Sequence, residues 1–109
     1  MRKRSKYLPS WKQEWLMLRE NPLNIDRIED PSEAMKLYAV KKNGLAIVRI
    51  KNPSEKMKLL AVTQRPDSLV YIDNPSERVQ VAAVNGDPTV IRYINFPSRS
   101  VEMLAKLLL

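Results

Sequence analysis

Pro-Ser stands five times in this chain, at Pro9-Ser10, Pro31-Ser32, Pro53-Ser54, Pro75-Ser76 and Pro97-Ser98, always 22 residues apart. A period of that size means one supersecondary unit used repeatedly. A unit so short cannot bury its apolar face alone, so consecutive units must stack to share a core.

Set out at this period, each column of residues has a physical reading. Asp30, Asn52 and Asn74 precede the prolines and suit the N-cap of a helix, Pro31, Pro53 and Pro75 suit its first position, and Glu33, Glu55 and Glu77 suit the third. The fifth copy has Phe96 and Arg99 in the outer slots, so it keeps the proline and loses both cap and acid. An apolar set follows each cap: Met35, Leu37, Tyr38, Ala39 and Val40 in one unit, then Met57, Leu59, Leu60, Ala61 and Val62 in the next, then Val79, Val81, Ala82, Ala83 and Val84. These positions cover more than one stripe of a helix, as in a helix packed on several sides. The column Ala39, Ala61, Ala83 and Ala105 marks a close approach of helices, where a larger side chain would overpack.

A shorter element follows in every unit, opened by Pro22, Gly44, Pro66 or Pro88. Ile25, Ile47, Leu69 and Ile91 pair at i, i+3 with Ile28, Ile50, Ile72 and Ile94, giving one apolar edge on a short helix. The pattern therefore predicts an all-α protein, a small α-solenoid of 22-residue two-helix repeats, or a bundle if so few units curl on themselves. Long helices are expected near 10–20, 31–42, 53–64, 75–84 and 97–108, and short ones near 22–28, 44–50, 66–72 and 88–94. Residues 1–8 read as a basic flexible tail and 9–109 as a single helical-repeat domain.

The phrases NPSEKMKLLAV, NPSERVQVAAVNG and AVKKNGLAIVRIKNPSE resemble an uncharacterised family of tandem helical repeats. That family carries Asn-Pro-Ser-Glu, an apolar Ala-Val run, Asn-Gly and an Ile-rich short helix. The resemblance covers about residues 21–98. It implies the repeat fold and an occurrence in bacteria, phages and some protists, and it brings no activity and no binding residues. The first unit departs from the pattern with Trp11 and Trp15, the last with LAKLLL.

Composition removes the common catalytic sets. With Cys 0 and His 0 there is no disulfide framework, no Cys/His zinc site and no histidine base. The repeated serines follow helix-starting prolines and read as structural. The two glycines, Gly44 and Gly86, are too few for a phosphate-cradling loop. Neither a catalytic site nor a cofactor is expected. No window approaches the roughly 18 apolar residues of a membrane helix, and the start MRKRSKYLPSW lacks the apolar run of a secretory signal. The expected location is the cytoplasm, that of the host if the chain is phage-encoded.

The net charge of +7 points to an acidic partner. Four of the charges, Arg2, Lys3, Arg4 and Lys6, lie in the tail, and Lys41 and Lys42 stand in the second unit. The column Arg27, Arg49, Tyr71 and Tyr93, each just before an isoleucine, is expected to form a surface ladder. The structural alternative is that the arginines snorkel and the tyrosines half-bury. Trp11 and Trp15 read as a cap over the first unit, or else as a binding anchor. Leu107, Leu108 and Leu109 either fold back over the last unit or make a self-association contact.

The functional expectation is a non-catalytic protein-binding adaptor or inhibitor presenting the ladder, Lys41, Lys42 and the tail, possible as a phage-encoded modulator of a host protein. The alternative is nucleic-acid binding, with basic residues on phosphates and tyrosines stacked on bases.

Overall fold

The computed structural model describes residues 8–109 and is helical throughout. Five α-helices alternate with four short 3-10 helices: α1 (Ser10–Glu20), α2 (Glu33–Lys42), α3 (Glu55–Gln64), α4 (Glu77–Gly86) and α5 (Arg99–Leu108), with short helices at Pro22–Arg27, Gly44–Arg49, Pro66–Tyr71 and Pro88–Tyr93. Each unit is one α-helix and the short helix that returns from it; units 1 to 5 begin at the five Pro-Ser pairs. Every α-helix packs on its neighbour in the next unit and every short helix on the next short helix and the next α-helix; among the described residues no units two apart pack on each other. The overall dimensions are 56 × 24 × 16 Å, those of a linear stack and not of a closed bundle.

Helix α1 starts where the sequence places it, whereas α2 to α5 start two residues later than expected. Ser32, Ser54, Ser76 and Ser98 are the N-caps, each in extended backbone with its hydroxyl accepting from the amide of Met35, Met57, Val79 or Val101. Proline therefore lies outside the helix, and Glu33, Glu55 and Glu77 take its first position instead of its third. Asp30, Asn52, Asn74 and Phe96 are not caps at all. They hold φ of 53°, 50°, 47° and 56°, the left-handed turn by which the chain leaves the short helix. Asn and Asp tolerate that conformation better than other residues with a side chain, so their recurrence here follows from backbone sterics.

At the other end of the α-helices one residue serves two helices. Asn21, Asn43 and Asp87 close an α-helix through their own N–H, and their side chains accept the amides of Leu23, Leu45 and Thr89 at 3.0 Å to open the short one. Arg65 fills this slot in unit 3 without a side-chain cap, and pairs with Asp67 at 2.9 Å. Asp87 also accepts from the Thr89 hydroxyl, and these two bonds, with Arg92 nearby, hold its carboxyl below the usual carboxylate range.

The core is continuous along the stack. The columns Met35–Met57–Val79–Val101, Ala39–Ala61–Ala83–Ala105 and Val40–Val62–Val84 are buried, with Leu18 at the head of the last. From the short helices come Ile25, Ile47 and Leu69, with Ile28, Ile50, Ile72 and Ile94 one turn on; in unit 4 Val90 is buried where Ile91 is only half-buried. A short helix closes directly on the next α-helix. A Cβ on Gly44 would collide with the carbonyl oxygen of Ala61 and lie 2.8 Å from Ser68 Oγ, while the Gly44 amide donates to Gln64 Oε1 at 2.6 Å. One unit on, the sizes are exchanged: Pro66 lies against Gly86, where a Cβ would come within 2.7 Å of the proline ring.

Trp15 packs on the core, its ring edge-on to Tyr38 at 5.6 Å, so the first unit uses it to cover the end of the stack. Trp11, four residues earlier, stays exposed. Among the described residues no helix is long and apolar enough to cross a membrane.

Candidate functional site

The ladder is on the surface. Arg27, Arg49, Tyr71 and Tyr93 are all exposed, the tyrosines at 55% and 45%, because each ends a short helix and the isoleucine after it turns inward. The four are not equivalent. The Arg49 guanidinium donates to Asp26 of the preceding unit at 2.6 Å, which fixes it along the stack. Tyr93 has the Arg92 guanidinium 4.9 Å from its ring centre and accepts from it at 2.9 Å through its hydroxyl. Tyr71 makes neither kind of contact with an arginine among the described residues.

The column one residue earlier, which the sequence reading did not single out, completes this face. Asp26, Val48, Val70 and Arg92 stand there, and Val48 and Val70 are half exposed. Val48, Val70, Tyr71 and Tyr93 thus form an apolar strip over units 2 to 4. The available signal was the change in that column from charged to β-branched and back, at a position next to the ladder. Beside the strip opens a groove of 530 Å³ between units 2 and 3, with Val48 and Tyr71 at its mouth, Ile47, Ile50 and Ile72 deeper, and Lys58 and Asp73 as its charged members.

Lys41 and Lys42 do not join this face. They occupy the last turn of α2, at the edge where short helices begin, about 15 Å along a ten-residue helix from the edge that bears the ladder. There they complement the helix dipole, and Lys42 Nζ stands 5.7 Å from the Tyr38 ring. Arg2, Lys3, Arg4 and Lys6 lie outside the described residues. Leu107, Leu108 and Leu109 do not fold back over the last unit: α5 runs straight through Leu108 and all three remain exposed. In interior units the columns of Leu107 and Leu108 hold Lys41, Thr63 and Asn85, and Lys42, Gln64 and Gly86, which are exposed too.

Comparison with family models, with curated proteins and with solved structures finds no match to this chain.

Proposed function

We propose that the chain is a non-catalytic protein-binding module, an adaptor or inhibitor, whose short-helix face receives an acidic protein segment. The observation that carries this is the strip Val48, Val70, Tyr71 and Tyr93, exposed in register across three units beside an open groove. The apolar columns of Met35, Ala39 and Val40 are buried along the stack, whereas these four side chains stay in solvent. Exposed tyrosines and aliphatic side chains in a row are the residue types that anchor protein interfaces. The net charge of +7 supports an acidic partner through electrostatic attraction during encounter. Membership of the tandem-repeat family, and service as a modulator of a host protein, belong to the same proposal.

Nucleic acid is the competing occupant, favoured by the arginine stacked on Tyr93. The aliphatic members of the strip and the pairing of Arg49 with Asp26 weigh against it, since valines offer a phosphate chain nothing. Affinity capture from a lysate with and without nuclease separates the two. A protein retained under nuclease and lost on replacing Tyr71 and Tyr93 by Ala supports the proposal, and loss of all retained material under nuclease overturns it.

A further inference from the structure

Phe96 combines two liabilities that the fold does not require. It is 99% exposed, and it holds a φ of 56° in the column where the other units place Asp30, Asn52 and Asn74. An aromatic residue in the left-handed region is strained, and its full exposure leaves a large apolar ring in water. Asparagine at this position would relieve both.

We propose that Phe96 is a knob that enters the groove between units 2 and 3 of a second copy of this chain, and that the contact is reciprocal. The groove is lined by Asn52 and Pro53, the column equivalents of Phe96 and Pro97, so knob and hole open on the same edge of the stack. They are separated by about two repeats, roughly 20 Å at the spacing of packed helices. For a linear stack this placement has a geometric consequence. A two-fold axis perpendicular to the stack, midway between the two features, brings the Phe96 of each copy to the groove of the other. The interface is then isologous and closes as a dimer, where a knob and hole on different edges would propagate a fibre.

Chemistry agrees with the fit. The groove offers Val48, Ile47, Ile50, Ile72 and Tyr71 to the ring. Its charged members, Asp73 and Lys58, meet a knob flanked on α5 by Arg99 and Glu102, so each charge has an opposite to face. Arg99 stands where units 2 to 4 carry Glu33, Glu55 and Glu77, so the change of sign occurs three residues after the knob. The interface goes beyond the proposed partner surface. Sharing Val48 and Tyr71 with it, dimerisation competes with that partner.

Sedimentation of the full chain reads the proposal without any partner. The wild type should show a concentration-dependent monomer–dimer equilibrium. Phe96→Asn removes both reciprocal anchors, so it should weaken the dimer by more than the roughly 30-fold of a single anchor, while raising the melting temperature because it relieves the backbone. Val48→Lys, at an exposed groove position, should weaken it comparably with helicity unchanged. Arg99→Glu and Asp73→Lys should each weaken the dimer, and their combination should recover much of the loss. A wild type that stays monomeric at high concentration overturns the proposal. So does a Phe96→Asn dimer as tight as the wild type, which would move self-association to Leu107, Leu108 and Leu109.

Discussion

The hydroxyl of Ser76 accepts the amide of Val79 at 3.2 Å and donates to the carboxylate of Glu55, in the preceding unit, at 2.6 Å. Ser98 and Glu77 repeat the arrangement at 2.7 Å one unit on. At the last two junctions Pro-Ser-Glu is therefore a connection between units as well as a helix start: Ser76 and Ser98 cap their own helices, and Glu55 and Glu77 of the preceding units receive their hydroxyls. Ser76→Ala should cost about 1–2 kcal/mol, cap and charge-assisted bond together. Glu55→Gln should reduce that cost, because only the bond between units depends on the carboxylate. Chemical denaturation of the two single variants and the double variant measures the coupling.

Asn52 and Asn74 test which residue caps the helix. Serine is as good a cap as asparagine but a poorer left-handed residue, so Asn74→Ser should destabilise by about 1 kcal/mol. Asn74→Gly should be nearly neutral. A neutral Asn74→Ser would return the cap to Asn74.

The exchange of sizes between Gly44 with Gln64 and Pro66 with Gly86 predicts a reversal of sign. Gly86→Ala removes a helical glycine, a gain of about 1 kcal/mol where space allows, but the added methyl meets Pro66 and the net effect should be destabilising. In a Pro66→Gly background the same substitution should stabilise. Gly44→Ala, against backbone and not a ring edge, should cost about 1–3 kcal/mol in any background. Thermal melts of the four variants decide it.

Asp87 carries a pH dependence. Its folded carboxyl is held low, first by the Thr89 hydroxyl and then by the Thr89 amide. A group depressed on folding stabilises above its unfolded pKa, and that stability is lost as pH falls through the lower, folded value. Asp87→Asn should therefore be less stable than wild type at neutral pH, converge with it in acid, and so show a flatter acid limb. Acid titration of the melting temperature in wild type and variant reads the difference.

Much of this fold was legible in the chain. The interval between Pro9 and Pro31 carries the period, the alanine column carries the close approach, and the i, i+3 pairing of Ile47 with Ile50 carries the short helices, whose 3-10 geometry places such pairs on one side. The caps were misplaced because Asn-Pro-Ser-Glu offers two acceptable cap residues and local grammar does not choose between them. The partner of Glu55 lies 21 residues away, so the choice is tertiary. The site was half legible: Tyr71 and Tyr93 were visible as a column, whereas Val48 and Val70 look like core until the neighbouring Ile47 and Leu69 are seen to turn inward. Phe96 was legible only as a missing cap, since its full exposure is a property of the folded turn.

The separation of binding from stability is the central claim, and the affinity of a captured protein partner for paired variants tests it most directly. Tyr71→Ala with Tyr93→Ala should weaken binding by about 2 kcal/mol or more per anchor while the helical signal and melting temperature stay near wild type; Ile94→Ala, buried one residue after Tyr93 and outside the groove, should cost about 2–5 kcal/mol of stability and leave binding per folded molecule unchanged. Tyrosine variants that unfold the stack yet bind normally when folded, or that bind as tightly as the wild type, would contradict it.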